Sequence, residues 1–129
     1  RFIIEDAAQF VQRELRRGKS YDGIILDPPK YGRGPKGEIW QLQENLPLLL
    51  SNCQRLISDS PLFLVATIYA VRLSIVSIHA AIADSFSEMN GELKSGEIAL
   101  IEDDTLSNKP PRAIGQAIYA RWCGLTTRG

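Results

Sequence analysis

Three short apolar runs without polar alternation are the features that most restrict how this chain can fold. They lie at residues 2–5, 23–26 and 62–67, and the second is Gly23-Ile24-Ile25-Leu26. A strand covered on one face alternates apolar with polar residues, whereas a parallel strand covered on both faces is apolar throughout. The three runs therefore predict strands of a parallel sheet that is flanked by helices.

Helical patterns separate these runs. Asp6 and Gln9 have the spacing of a capping box, which predicts a helix start at Asp6, and Gly18 is typical of a helix stop. Residues 38–57 and 71–89 carry apolar side chains at helical spacing. Pro47 interrupts the first of these two patterns, so we expect a kink, or two helices with Pro47 near the start of the second.

The last third of the chain has a different pattern. Residues 92–102 and 116–122 alternate as antiparallel strands do, and residues 108–112 form the loop between them. The whole order predicts an α/β sheet that is mostly parallel, with an antiparallel C-terminal strand. Ligands of such sheets lie beyond the C-terminal ends of the parallel strands. We therefore expect function at three loops, which begin at Asp6, Asp27 and Thr67.

Length, charge and cysteine content limit the possible functions. The chain has 129 residues, enough for one domain, and its 15 lysines and arginines balance 15 aspartates and glutamates. Contact with nucleic acid would therefore need a local patch. Cys53 and Cys123 lack the spacing of a metal site, which predicts reduced thiols, a cytoplasmic protein and no bound metal. No apolar run is long enough to span a membrane, and we expect no catalytic role for His79.

A glycine pattern suggests one function that the surrounding sequence does not support. Residues 32–37 match G-x-G-x-x-G between a predicted strand and a predicted helix. That pattern binds dinucleotides when its glycines form the turn that leaves the strand. Here residues 27–31 intervene and Pro35 stiffens the middle. A dinucleotide-dependent oxidoreductase is therefore an alternative that rests on this glycine pattern alone.

The segment Asp27-Pro28-Pro29-Lys30-Tyr31 carries more chemical information. Its two prolines fix two φ angles and remove two backbone donors, so nearby carbonyls project at a set angle beside the Asp27 carboxylate. These acceptors suit an exocyclic amino group or an N–H of a flat ring. Tyr31 offers a face on which a base can stack, worth ~1–3 kcal/mol. Three cations could neutralise phosphates or simply be solvated: Lys30, Arg33 and Lys36.

Three stretches between residues 14 and 40 carry the motifs of one known enzyme family. They are Glu14-Leu15-Arg16-Arg17-Gly18, Tyr21-Asp22-Gly23-Ile24-Ile25-Leu26-Asp27-Pro28-Pro29-Lys30-Tyr31-Gly32-Arg33-Gly34 and Gly37-Glu38-Ile39-Trp40. They resemble class I S-adenosylmethionine-dependent methyltransferases, in the branch related to bacterial 23S ribosomal RNA methyltransferases. The likeness extends more thinly over residues 2–122. It implies a Rossmann-like sheet, S-adenosyl-L-methionine as the cofactor and RNA, in particular ribosomal RNA, as the substrate.

The resemblance also implies roles for individual residues. Asp6 and Ala7 fall where the family contacts the adenine of the cofactor, and Asp27 would contact the cofactor as well. The methyl acceptor would meet the sulfonium at a catalytic wall made of Asp27, Pro28, Pro29 and Lys30. The expected substrate-binding residues are Tyr31, Arg33, Lys36 and Tyr69.

The sequence departs from the family at its start. The family's glycine-rich cofactor loop and ribose-binding acid precede the equivalent of residues 2–6, and this sequence has neither. In the family's sheet, two further strands lie side by side between the strands that correspond to residues 2–5 and 23–26. These two strands are missing as well. We therefore expect residues 1–125 to be the C-terminal part of a catalytic domain, followed by a tail at 126–129. A further N-terminal segment or an oligomer partner would complete the sheet.

The positions of the cysteines bear on the mechanism. Methylation of a pyrimidine at carbon 5 usually needs a cysteine nucleophile. Residues 27–30 and 66–69 contain none, and Cys53 and Cys123 have the positions of structural residues. We therefore expect direct in-line transfer to a nitrogen or oxygen acceptor, driven by positioning and desolvation.

Structural explanations compete with several of these roles. Asp6 could be only a helix cap, and Tyr31 and Tyr69 only packing residues. Trp40 and Trp122 are expected in the core. For the three arginines of the first helix, a solvated face that compensates the helix dipole competes with nucleic-acid contact: Arg13, Arg16 and Arg17. For the chain as a whole, the alternative is a non-catalytic RNA-binding module with the same fold.

Overall fold

A computed structural model describes residues 2–34, 37–69, 72–103 and 110–125. Its helices are α1 (Ala7–Arg16), α2 (Leu42–Leu56) and α3 (Ile75–Ser85). Its strands are β1 (Gly23–Leu26), β2 (Tyr31–Arg33), β3 (Ile39–Gln41), β4 (Phe63–Ile68), β5 (Gly91–Ile101) and β6 (Ala113–Gly124). Lys36, residues 108–109 of the predicted loop and the tail at 126–129 lie outside the described residues. No helix in the described ranges is long and apolar enough to cross a membrane.

Four strands form one mixed sheet in the order β1-β4-β6-β5. β1 runs parallel to β4, whereas β6 is antiparallel to both β4 and β5. The α/β fold and the antiparallel C-terminal strands are therefore confirmed. The expectation of a mostly parallel sheet is wrong for the described residues, because only one of its three strand pairs is parallel. On its other side, β1 has no partner among the described strands.

One face of this sheet carries the core. Along β4 the even-numbered residues from Leu64 to Ile68 are buried, while the odd-numbered residues are partly exposed. The buried face forms one apolar cluster with side chains of all three helices. On the opposite face, Ile25 of β1 is 73% exposed. β1 and β4 thus have the composition of strands covered on both faces, but the described elements bury only one face fully.

Both ends of α1 are fixed by capping. Asp6 is the N-cap, and its Oδ1 accepts a hydrogen bond from the Gln9 N–H at 2.9 Å. The Gln9 side chain does not complete the predicted capping box, because it donates to Glu38 Oε1 instead, at 3.3 Å. At the other end, Gly18 has a φ of 63°. The N–H groups of Gly18 and Lys19 bond to carbonyls of the last helical turn in a Schellman motif.

The predicted start of α2 is wrong, and so is the two-helix alternative for Pro47, while the expected kink stays a prediction. The helix does not begin near residue 38, because residues 39–41 form β3, which pairs with β2 as a hairpin. Pro47 does not divide the pattern into two helices, because α2 runs through it. Pro47 cannot donate one backbone hydrogen bond. Burial of six α2 side chains outweighs that loss: Leu42, Leu46, Leu49, Leu50, Cys53 and Leu56.

Two other predicted elements differ from the observed ones. Residues 2–5 do not form a strand, and Phe2 and Ile4 are fully exposed. A strand needs a neighbour that takes its backbone hydrogen bonds, and none of the described strands pairs with this segment. α3 is shorter than the pattern at residues 71–89. Ser74 Oγ accepts a hydrogen bond from the Val76 N–H at 3.1 Å and caps the helix there.

A close approach between β5 and Trp122 generates a stability prediction. Trp122 is buried, and its ring centroid lies 4.9 Å from that of Phe86. A Cβ added at Gly91 would lie 2.3 Å from the indole. We expect Gly91→Ala to lower the free energy of unfolding by about 1–3 kcal/mol, because the core would have to shift. Urea denaturation measures this change.

Gly115→Ala is the matched control in the same sheet. A Cβ at Gly115 would meet only Glu97 Oε2, at 3.7 Å, which is an ordinary contact. This substitution should change the free energy of unfolding by no more than about 0.5 kcal/mol. Equal losses for the two variants would show that the indole contact is not the cause.

Candidate functional site

The N-terminus of α1 and the C-terminal end of β1 open onto one cavity of about 530 Å³. The hairpin and α2 complete its walls. Its volume is typical of small-molecule sites. It lies at the C-terminal end of a parallel strand, where α/β sheets bind their ligands. The lining residues are Asp6, Ala7, Ala8, Gln9, Gln12, Ile25, Leu26, Asp27, Pro28, Pro29, Gly32, Arg33, Gly34, Glu38, Ile39, Trp40, Asn45, Leu48, Leu49 and Asn52.

This cavity brings together most of the residues that the sequence nominated. Six of them line it: Asp6, Ala7, Asp27, Pro28, Pro29 and Arg33. Lys30 and Tyr31 are not in its lining, and Tyr31 is 53% exposed on β2. Tyr69 lines a different groove, of about 290 Å³, beside β6. Lys36 lies outside the described residues.

The Asp27 carboxylate is held by the neighbouring strand. The register of β1 and β4 pairs Leu26 with Ala66, so Thr67 lies beside Asp27. Thr67 Oγ1 donates a hydrogen bond to Asp27 Oδ1 at 3.1 Å. No group of the described residues donates to Asp27 Oδ2. One oxygen is therefore oriented by the sheet, and the other can accept a hydrogen bond from a ligand.

The β2–β3 hairpin holds the proline pair. Trp40 Nε1 donates a hydrogen bond to the Pro29 carbonyl at 2.7 Å. The Leu42 N–H donates to the Lys30 carbonyl at 3.0 Å. The Pro28 carbonyl accepts no hydrogen bond from the described part of the chain. The hairpin therefore occupies two carbonyls of this loop and leaves that of Pro28 as an acceptor.

Trp40 and Asn45 are site residues that sequence reasoning did not find. Trp40, which was expected in the core, packs partly against it but also lines the cavity. The glycine at position 37, where φ is 86°, is the signal that could have indicated a turn before a hairpin strand. Asn45 also lines the cavity, and its Oδ1 accepts from the Gln41 N–H at 2.7 Å. Trp122 is buried, as expected.

The glycines of the pattern at residues 32–37 lie in or beside the strands of this hairpin. Gly32 lies in β2 beside Trp40 of β3. The Gly34 N–H donates to the Glu38 carbonyl at 2.8 Å. The described glycines therefore do not form a turn between β1 and a helix N-terminus, which dinucleotide binding requires. The structure gives the oxidoreductase alternative no support.

Neither cysteine lines the cavity. Cys53 is completely buried in α2, and burial raises the pKa of its thiol to about 12. Cys123 is half-buried in β6. His79 Nδ1 lies 2.9 Å from Ser95 Oγ, and His79 is not part of the cavity lining either. Across the described ranges, no group of three or more His, Cys, Asp or Glu side chains is placed to hold a metal ion.

Comparison with solved structures decides the fold family. A SAM-dependent methyltransferase from Agrobacterium tumefaciens matches 97% of this chain at 41% sequence identity, with a TM-score of 0.90. This chain has a SAM-dependent methyltransferase fold. It spans only 40% of the length of the Agrobacterium protein, so it corresponds to part of that fold. No protein-family model and no curated protein matches the chain.

Two more distant structures share the fold. M1.HpyAVI, solved in complex with SAM, matches 96% of the chain at 15% identity and a TM-score of 0.54, and the chain spans 52% of it. Precorrin-6y C5,15-methyltransferase from Geobacter metallireducens matches 96% at 8% identity and a TM-score of 0.54, with 53% of it spanned. At these identities the likeness concerns the fold alone. The predicted methyltransferase architecture is thus confirmed in part.

The cavity has groups that suit S-adenosylmethionine. One carboxylate oxygen of Asp6 caps α1, and the other accepts no hydrogen bond from the described residues. Capping and contact with a ligand are therefore compatible. Ala7, Ile25 and Leu26 add apolar surface for a flat ring. The Asp27 carboxylate adds a hydrogen-bond acceptor at the C-terminal end of β1. The individual roles of these residues stay predictions.

Burial of Cys53 gives a chemical prediction. The thiolate is the reactive form of cysteine, and a pKa of about 12 leaves very little of it at pH 8. In the folded protein, Cys53 should react with iodoacetamide about 1,000-fold more slowly than an unperturbed thiol. Mass spectrometry of the two cysteine peptides measures the rates, with the urea-unfolded protein as the control. Fast native labelling of Cys53 would contradict its exclusion as a nucleophile.

Proposed function

We propose that the protein transfers the methyl group of S-adenosylmethionine directly to an exocyclic amino nitrogen of an RNA base. The observation that carries the proposal is the shared cavity, where the Asp6 segment meets Asp27 and the two prolines. These are the segments expected to hold the cofactor and the methyl acceptor. The methyltransferase fold supports the cofactor, and the chemistry of the loop supports the acceptor.

The loop offers two acceptors on adjacent residues. Asp27 Oδ2 and the Pro28 carbonyl belong to residues that line the same cavity, and neither is bonded within the described chain. An amino group has two N–H donors and can satisfy both acceptors. A hydroxyl group has one donor, and a ring carbon has none that is comparable. The pair therefore favours an amino nitrogen over an oxygen or a carbon acceptor.

The protein's own residues account for the rest of the proposed reaction. When bound, S-adenosylmethionine supplies an electrophilic methyl group. Asp27 and Pro28 would orient the amino group and stabilise the positive charge that develops on its nitrogen. The Asp27 carboxylate would accept the proton that this nitrogen releases, while Thr67 holds the carboxylate in place. No covalent bond to the protein is needed, in agreement with the buried Cys53.

RNA as the substrate rests on the resemblance of residues 14–40 and on exposed groups near the cavity. Tyr31 and Arg33 project from β2, where Arg33 Nη2 donates a hydrogen bond to the Tyr31 hydroxyl at 3.4 Å. We assign this pair, together with Lys30, to nucleotides that flank the target base. Aromatic stacking and a nearby cation are common ways to hold a single strand. Tyr69, beside β6, would contact the substrate from the other side.

We also propose that a further segment of the same protein completes the sheet. β1 is an edge strand of the described sheet, Ile25, Phe2 and Ile4 are exposed apolar side chains, and the chain spans 40% of the Agrobacterium protein. A second copy of the chain is the alternative. A monomeric mass by light scattering, for the protein as its gene encodes it, would exclude that alternative.

Substitution of Asp27 tests the reaction. Asp27→Ala should lower methyl transfer by at least about 100-fold and change the cofactor Kd by less than about threefold, because the residue serves the acceptor. Tritium transfer from labelled cofactor to total RNA, compared with protein, measures the activity. Calorimetry measures the cofactor Kd. Asp27→Asn keeps an acceptor oxygen for the amino group and should retain more activity.

Asp84→Ala, which removes an exposed carboxylate from α3, is the control and should leave both quantities unchanged. Equal loss of transfer and of cofactor affinity in Asp27→Ala would assign Asp27 to the cofactor instead. RNA binding without transfer would favour the non-catalytic RNA-binding module. Label in protein rather than in RNA would overturn the substrate.

Trp40→Phe tests the support of the proline pair. Phenylalanine keeps most of the ring but cannot donate a hydrogen bond to the Pro29 carbonyl. We expect kcat to fall by about 10- to 100-fold with the cofactor KM unchanged, since a small displacement of the acceptors is enough. Ile39→Val, on the same strand and also in the cavity lining, keeps the hydrogen bond and is the control. An unchanged kcat in Trp40→Phe would remove this role.

A further inference from the structure

A second depression, between α1 and α2, is lined by groups that the proposed reaction does not use. Its volume is about 390 Å³, and we call it the helix groove. Two arginines, two amides and two leucines line it: Arg16, Arg55, Gln12, Asn52, Leu15 and Leu48. Three of these also line the candidate cavity, namely Gln12, Leu48 and Asn52. The helix groove therefore continues from the cavity along the two helices.

Helical periodicity explains why these side chains share one surface. Gln12 and Arg16 are four residues apart on α1, and Asn52 and Arg55 are three apart on α2. Residues at these spacings lie on the same side of a helix. Each helix therefore contributes an amide and then an arginine, in the direction that leads away from the cavity.

The structure separates the three arginines that the sequence grouped together on α1. Arg13 pairs with Glu5 and Glu14, and Arg17 pairs with Glu14 at 3.2 Å. Glu14 is buried, and hydrogen bonds from Tyr21, Arg13 and Arg17 hold its pKa below the usual value. The carboxylate therefore stays ionised and keeps both arginines engaged.

Arg16 and Arg55 have no carboxylate partner among the described residues. Both are exposed. The two guanidinium groups therefore give the helix groove a local positive charge, although the formal charge of the whole chain is zero. This is the local patch that contact with nucleic acid requires in a chain without a global positive field.

We propose that the helix groove binds the phosphodiester backbone of the RNA strand whose base enters the cavity. The inference rests on the proposed function for the identity of the strand. Guanidinium groups match phosphate oxygens with paired hydrogen bonds. The Gln12 and Asn52 amides suit phosphate and sugar oxygens, which position a nucleic acid without reading its sequence. A strand in the groove would leave its next nucleotides beside Asp27 and Pro28.

Binding of a fluorescein-labelled 20-nucleotide oligouridine tests this groove. Uracil has no exocyclic amino group, so binding of this probe does not depend on the hydrogen-bond acceptors of the loop after β1. Anisotropy over a range of salt concentrations gives Kd and its salt dependence. Loss of two phosphate contacts should reduce the slope of log K against log salt by about 1.4, which is about 25-fold weaker binding at 0.1 M salt. We expect this change in the double variant Arg16→Gln/Arg55→Gln.

Arg17→Gln is the matched control. It removes one positive charge at the end of α1, as Arg16→Gln does within the double variant, but Arg17 does not line the helix groove. It should leave the salt slope unchanged, and circular dichroism checks that each variant is folded. An equal effect of Arg17→Gln would overturn the proposal. So would an unchanged slope in the double variant, or no binding of the probe by the unsubstituted protein.

Tritium transfer to RNA separates this proposal from the proposed function. If the double variant loses probe affinity as expected while the unsubstituted protein methylates no RNA, the groove stands and the reaction fails. If RNA is methylated and the double variant keeps both its probe affinity and its KM for RNA, the reaction stands and the groove fails.

Discussion

The parallel pairing of β1 with β4 is the constraint on which the candidate site depends. Its register brings Thr67 beside Asp27, and the hydroxyl of Thr67 then orients one carboxylate oxygen. Hydrogen bonds between strands fix such a register along its whole length, so the position of Asp27 is set by the sheet rather than by its loop. The cavity starts where this pairing ends. A carboxylate held in this way loses little freedom when a ligand binds, and binding is then less costly.

The loop after β1 adds a second level of order. Two prolines restrict its backbone, and the hairpin occupies the carbonyls of Pro29 and Lys30. What is left for a ligand is a small set of acceptors with a defined direction. Such preorganisation is an effective way for a protein to stabilise charge as it develops. The same loop therefore combines a restrained backbone with acceptors that are left for a ligand.

The sequence predicted the elements that rest on local chemistry. β1 and β4 follow from unbroken apolar runs, and the ends of α1 follow from Asp6 and Gly18. The shared position of Asp6 and Asp27 follows from the rule that ligands lie at the C-terminal ends of parallel strands.

The predictions failed where tertiary contacts decide the structure. Residues 39–41 have helical spacing of apolar side chains, yet they pair with β2. Pro47 is accommodated because the buried side of α2 outweighs one lost hydrogen bond. Which arginine of α1 stays unpaired depends on the placement of Glu14, and no pattern in the sequence shows that.

The hairpin between β1 and α2 is anchored at its base. Trp40 and Leu42 attach it to the proline loop. Longer connections between strands cost little free energy, so insertions between β2 and β3 would leave the hydrogen bonds that hold Asp27 and the proline loop undisturbed. The rim of the cavity can therefore diversify while the Asp27–Thr67 hydrogen bond at its base is retained. Exchange of this one short module would change the entrance of the cavity and leave the sheet beneath it intact.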